Sequence, residues 1–239
     1  MDITVLLAMS LIFIGAFIQT ATGFGMAIVA SPLLLYLSPD YIPGPIIIVG
    51  LFIALINTYK YRTQISLNSL KQSTIGLLPG TCVGAAILYF IDVAQLSVLL
   101  GSTVLIAVAA SILPIKMNIT PWRLMIAGFF SGFLGTSSGI GGPPMALLLQ
   151  HQNVNQIRAS LAAFFLVSSS LSLLIQIPIG YMSIKHLLLA LPLIPAGYAG
   201  HKLAISVLNR ISQKAVRNIS LTLCIVAGLG AIYSGLQII

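Results

Sequence analysis

The chain has 239 residues, of which 58% are hydrophobic and 6% charged, with a formal net charge of +8. A soluble domain carries about 25% charged residues, so a soluble enzyme or binding domain is excluded. The positive balance is no nucleic-acid signature either. The Lys and Arg residues stand singly at the ends of apolar runs, where they set orientation and touch anionic lipid.

Eight apolar segments follow in chain order. The first, Ile3–Leu37, has 35 residues, against about 20 needed for one crossing. It is interrupted by Thr20-Ala21-Thr22-Gly23-Phe24-Gly25. Ile42–Tyr59, Ser73–Ile91 and Val93–Ile115 have the length of single crossings. The fifth, Trp122–Gln150, is again long at 29 residues and is interrupted by Thr136-Ser137-Ser138-Gly139-Ile140-Gly141. Ala159–Ile177, Ile184–Leu203 and Ala215–Ile238 complete the chain. Charge-free runs of this length predict an all-α, polytopic helical membrane protein. The short alternating strands of a barrel are absent. The first segment lacks the basic n-region of a signal peptide and is read as part of the mature chain.

The two interrupting hexapeptides are related by an offset of 116 positions, and the same offset joins other residues. Phe13 and Phe17 match Phe129 and Phe133. Leu77-Leu78-Pro79-Gly80 matches Leu193-Ile194-Pro195-Ala196, and Gly84 matches Gly200. Paired Gly, Pro and Thr at one offset predict two homologous halves, 1–117 and 118–239, within one transmembrane domain.

Positive charge predicts how each half threads the bilayer. If each long segment crosses once, six basic residues fall on one side and five on the other. If each is a re-entrant hairpin followed by three helices, Lys60, Arg62, Lys71, Lys116, Arg123, Arg158, Lys202, Arg210, Lys214 and Arg217 share one side, and Lys185 alone faces the other. The second distribution is the one expected of a cytoplasmic face. Three crossings per half then give the halves opposite orientations, as inverted repeats.

Matching breaks in two halves of a membrane chain point to a transport site. A break frees backbone groups that lipid cannot satisfy. The helix that restarts after it offers amide N–H groups and a partial positive charge, which suit an anion. Thr22 and Ser138 are candidate N-caps, and Pro143 and Pro144 suit a first helical turn. The expected substrate contacts are the backbone of Gly23, Gly25, Gly139, Gly141 and Gly142, the hydroxyls of Thr20, Thr22, Thr136, Ser137 and Ser138, and the flanking Gln19 and Gln150. Pro79/Gly84 and Pro195/Gly200 are read as helix packing instead.

The chain has three carboxylates, Asp2, Asp40 and Asp92, all at segment ends, and no glutamate. A proton relay or cation site built on buried acids therefore lacks its residues. His151, His186 and His201 also fall near segment ends and read as interfacial. Cys82 and Cys224 read as small core residues, with no metal spacing around them. Gly135-Thr136-Ser137-Ser138-Gly139 formally matches a hydrolase nucleophile elbow. That motif needs a strand–turn–helix in an α/β sheet, and no histidine lies mid-segment to serve as base. No catalytic residue, metal or cofactor is expected, and the chain is not read as an enzyme.

The segments Thr22-Gly23-Phe24-Gly25-Met26-Ala27-Ile28-Val29-Ala30-Ser31-Pro32-Leu33 and Ser138-Gly139-Ile140-Gly141-Gly142-Pro143-Pro144, with the Pro79 and Pro195 helices, resemble the TauE/SafE sulfite-exporter family, also called the toluene-sulfonate uptake permeases. The second motif departs at Gly142-Pro143-Pro144, where many members carry a third glycine. The resemblance implies a prokaryotic plasma-membrane transporter of small anions, often sulfite or organosulfur compounds, with seven to nine spans. The expectation is an anion permease working by alternating access, with the bilayer and a small anion as its partners and no nucleic acid. A coupling ion and self-association stay open. The competing reading is a non-transporting membrane scaffold or partner-binding subunit.

Overall fold

The computed structural model describes residues 3–22, 25–112, 118–207 and 213–238. Those residues form helices, short 3-10 turns and loops, with no strand among them. The helices are α1 (Ile3–Thr22), α2 (Met26–Leu37), α3 (Gly44–Lys60), α4 (Leu67–Phe90), α5 (Val93–Ile112), α6 (Pro121–Ser138), α7 (Gly142–Leu149), α8 (Val154–Gln176), α9 (Ile184–Ala190), α10 (Leu193–Val207) and α11 (Gln213–Ile238). Seven stretches among the described residues are long and apolar enough to cross a membrane. The protein is a multi-pass helical membrane protein, as its composition requires.

The offset of 116 carries into the element ends. α1 ends at Thr22 and α6 at Ser138, α2 starts at Met26 and α7 at Gly142, and α3 ends at Lys60 and α8 at Gln176. The apolar segments marked the spans but not all of their starts. α4 begins six residues earlier than Ser73, because Ser66 accepts a hydrogen bond from the Ser69 amide and caps it. α8 likewise starts early, behind the capping side chain of Asn153. Ile184–Leu203 is not one helix. Pro192 carries no N–H and interrupts it, leaving α9 and α10 separated by a turn.

At each break the chain doubles back on itself. A Cβ on Gly15 would lie 3.0 Å from the Met26 carbonyl, and one on Gly141 would lie 2.7 Å from the Ser131 carbonyl. α2 has 12 residues and α7 has 8. At 1.5 Å per residue these rise about 18 and 12 Å, short of the roughly 30 Å hydrocarbon core. The loop after α2 then returns to the start of α9, where Lys185 Nζ lies 2.6 Å from Asp40 Oδ2. A path of eight simple crossings would separate those two residues, and here they meet at one end of the helices.

Helices at matching positions pack against each other in antiparallel fashion. On α3 and α8, Ile46 and Ile47 share a cavity wall with Ser168 and Ser172, while Lys60 shares one with Arg158. On α5 and α11, Gly101 meets Gly228 and Ala94 meets Gly235. The remaining large contacts are exchanged between the halves: α4 packs along α6, and α1 along α10. Gly84 and Gly200 lie in those two contacts, while their partners Pro79 and Pro195 are exposed on the same helices. The Gly84 backbone rests on Phe133 and the Gly200 backbone on Phe13, which is the packing role expected of them.

Candidate functional site

Each break is built from backbone. Gly25 has φ +121° and ψ −2°, which a residue with a side chain rarely adopts. It precedes α2, and its carbonyl accepts the Val29 amide at 3.1 Å. The amides of Gly25, Met26, Ala27 and Ile28 therefore precede the first intrahelical bond, and no side chain caps them. Gly23 and Phe24 lie outside the described residues, and so does the side chain of Thr22.

The second break differs in chemistry. Gly139 is left-handed at φ +76° and closes α6, with its amide donating to the Gly135 carbonyl at 3.0 Å. α7 starts at Gly142 behind Gly141, and its next residues are Pro143 and Pro144. Prolines suit that turn, but they also remove two of its four amides. Donors are thus unequal: four at the start of α2 and two, Gly141 and Gly142, at the start of α7.

Both breaks line one cavity of about 70 Å³. Gly25 to Ile28 form one wall and Gly139 to Gly142 another, with Gln19 of α1, Ile46, Ile47 and Gly50 of α3, and Phe165, Ser168, Ser169 and Ser172 of α8. On this measure of volume a water needs about 10–15 Å³, so several waters or one small oxyanion fit.

The hydroxyls expected to meet substrate are mostly turned inward. Ser137 and Ser138 donate to the carbonyls of Phe133 and Leu134, both at 2.7 Å. Thr20 donates to Ala16 at 2.8 Å. Thr136 Oγ1 lies 2.8 Å from Ser172 Oγ. A hydroxyl has one hydrogen, so these groups have little left for a ligand. Ser138 is not an N-cap. It is the last residue of α6, and Gly141 occupies the cap of α7. Gln150 stands at the end of α7 and lines a different, larger cavity of about 550 Å³ beside Gly25, Ile28 and Pro143.

Other polar residues, passed over in the sequence reading, stand near the breaks. Ser168 and Ser169 face the break cavity, and their hydroxyls have no hydrogen-bond partner among the described residues. Gln176 is fully buried, donates to the Thr136 carbonyl at 3.1 Å and leaves its Oε1 unpaired. The one sequence signal for this wall was the run Ser168-Ser169-Ser170 with Ser172 inside an apolar helix.

A second cavity, a vestibule of about 100 Å³, lies beside the break cavity, with Gln19 and Phe165 lining both. Its walls carry Thr20, Asn57, Lys60, Tyr61, Arg158 and His201. His201 was expected at the interface. It is instead 2% exposed, with Nδ1 2.8 Å from Thr20 Oγ1. No described carboxylate faces this space: Asp40 pairs with Lys185, and Asp92 caps α5 through the Gln95 amide at 2.8 Å.

The family described as Sulfite exporter TauE/SafE matches residues 7–231 of the chain. A curated protein of Cupriavidus necator, "Probable sulfite/organosulfonate exporter TauE", is 24% identical over 171 residues. The match covers 65% of each of the two chains, a little under two thirds of the relative's length. No solved structure matches.

Proposed function

The chain belongs to the TauE/SafE sulfite exporter family, and from that premise we propose that it moves a small anion, a sulfur oxyanion or organosulfonate, across the membrane through the cavity where its two breaks meet. The observation that carries this reading is the shared cavity together with the adjoining space faced by Lys60 and Arg158, with Gln19 and Phe165 lining both. Cations without carboxylate partners draw an anion inward. The break cavity then replaces its water with amides.

In this reading the start of α2 is the main seat. Gly25, Met26, Ala27 and Ile28 present their N–H groups along the axis of a helix whose dipole favours negative charge. Hydrogen bonds to a charged group contribute about 1.5–3 kcal/mol each. Four of them offset much of the several kcal/mol needed to strip a small anion of water. Gly141, Gly142, Ser168, Ser169 and Gln19 complete the ring of donors. A scaffold subunit gains nothing from such a ring or from a charged route to it, which disfavours the competing reading. The Cupriavidus relative's printed name, an exporter of sulfite or organosulfonate, supplies the substrate class.

Alternating access follows from the same symmetry. We read 1–117 and 118–239 as oppositely oriented halves of a plasma-membrane protein, because matching helices pack antiparallel and this path would put ten of the eleven basic residues at one face. Rocking one half on the other would close the Gln19–Phe165 side and open the opposite one. The orientation is checked with an impermeant maleimide on intact cells. Ser38→Cys should react from outside, and His151→Cys only after permeabilisation. Equal labelling of both from outside contradicts the inverted arrangement.

Transport itself is checked in proteoliposomes loaded with sulfite or ethanesulfonate. Efflux should exceed that of protein-free vesicles, while sodium and methylamine leak equally from both. No difference for any anion would sink the proposal.

A further inference from the structure

We propose that the vestibule of Lys60, Arg158 and His201 is a second anion site, distinct from the break cavity, and that an oxyanion entering it brings a proton onto His201. The inference rests on the transport reading above for its direction, but its site is separate.

The hydrogen bonds fix the imidazole. Thr20 has one hydroxyl hydrogen and lies 2.8 Å from the Ala16 carbonyl, the usual back-bond of a helical threonine. Its oxygen then accepts from His201 Nδ1–H at 2.8 Å. The neutral ring then keeps Nε2 as its acceptor, on a residue that lines the vestibule. Protonation turns Nε2 into a donor without disturbing the bond to Thr20, so the ring can change charge in place.

The neighbours decide when it does. α3 and its end contribute Lys60 and Tyr61, α8 contributes Arg158, α10 itself carries Lys202, and α1 offers only the neutral Gln19 and Thr20. With the space empty, the side chains around the ring are cationic or neutral. An oxyanion held in that space adds an opposite charge beside the ring, and such a neighbour raises an imidazole's proton affinity by about ten- to a thousandfold. Linkage is reciprocal, so the proton tightens the anion by the same factor. His201 is the one imidazole on this route; His186 binds Ser183 at the far end of α9, and His151 lies in the exposed loop after α7.

The test uses full-length protein in nanodiscs carrying His151→Gln and His186→Gln, so that His201 is the sole histidine of the three. Its imidazole is titrated by NMR in sodium sulfate and in chloride of matched ionic strength. Sulfate releases its last proton far below neutrality and does not titrate in this range. The midpoint should rise by about one unit or more in sulfate, and the rise should vanish in Lys60→Gln/Arg158→Gln. A midpoint that sulfate does not move, or moves equally in the double variant, overturns the proposal. Gly25→Val, placed in the other cavity, should keep the rise even if efflux stops. Loss of the rise there would merge the two cavities into one site and overturn the second.

Discussion

Gly25→Val should bring anion efflux from proteoliposomes down to the level of protein-free vesicles while the protein remains inserted and monodisperse. The residue sits at φ +121°, a region that β-branched side chains avoid. The space around it is not the obstacle, since a Cβ would meet only Ile18 Cγ2, at 3.7 Å. The cost is backbone strain, about 1–3 kcal/mol, relieved by turning the peptide planes that aim the Met26 and Ala27 amides. The new side chain also enters a cavity of only about 70 Å³. Strain of this size alone shifts an equilibrium by roughly ten- to a hundredfold, and losing the donors adds to it. Gly180→Val is the matched control. Gly180 is also left-handed, at φ +81°, but nothing lies within 4 Å of its Cβ position, and it belongs to the loop between α8 and α9. Its variant should carry a similar strain and keep efflux. Efflux retained in Gly25→Val would remove the start of α2 from the mechanism.

Gly80→Val should lower the melting temperature and the yield of inserted protein more than any change in the break cavity. Gly76, Gly80 and Gly84 form one face of α4, and their backbones lie against Met125, Phe129 and Phe133 of α6. A Cβ on Gly80 would collide with the Phe129 carbonyl oxygen, and one on Gly76 with that of Met125. These contacts are backbone to backbone, so no side-chain rotamer can relieve them. Overpacking a core typically costs about 1–3 kcal/mol, and here the two helices must separate along their length. Without a hydrophobic drive between helices in lipid, such close approach is what holds them together. Cys82, on the exposed side of the same helix, should accept Val with an unchanged melting curve. Equal melting of Gly80→Val and the parent would mean that α4 and α6 do not meet in this way.

The breaks themselves were legible from the residues. Repeated glycines and hydroxyls at a fixed offset marked where the two long segments are interrupted, while the caps stand at Gly25 and Gly141, three residues beyond the expected Thr22 and Ser138, and the re-entrant path was read from the charge count rather than from the glycines. The glycine signal is local, carried by residues that cannot continue a helix. The use of each polar group was not local. Ser137 and Ser138 look like donors in a string of letters, but in a helix their hydroxyls fall back on the carbonyls four residues earlier. Pro143 and Pro144 start α7 as expected, and the same missing N–H that lets them do so halves the donors there. His201 looked interfacial by its distance from a segment end. Its partner Thr20 is 181 positions away, and only the packing of α1 along α10 brings the pair together and buries it. The serine face of α8 was hidden for a similar reason. Its residues point at the breaks because α8 lies antiparallel to α3, a relation that no single segment records.

The most direct test is a structure of the wild-type protein with selenite, the selenium counterpart of sulfite, located by its anomalous scattering. The account predicts a selenium peak between the amides of Gly25 to Ile28 and the glycines of the second break. Protein that exports sulfite but shows selenium only elsewhere, with the space between the two breaks filled by side chains, would contradict it.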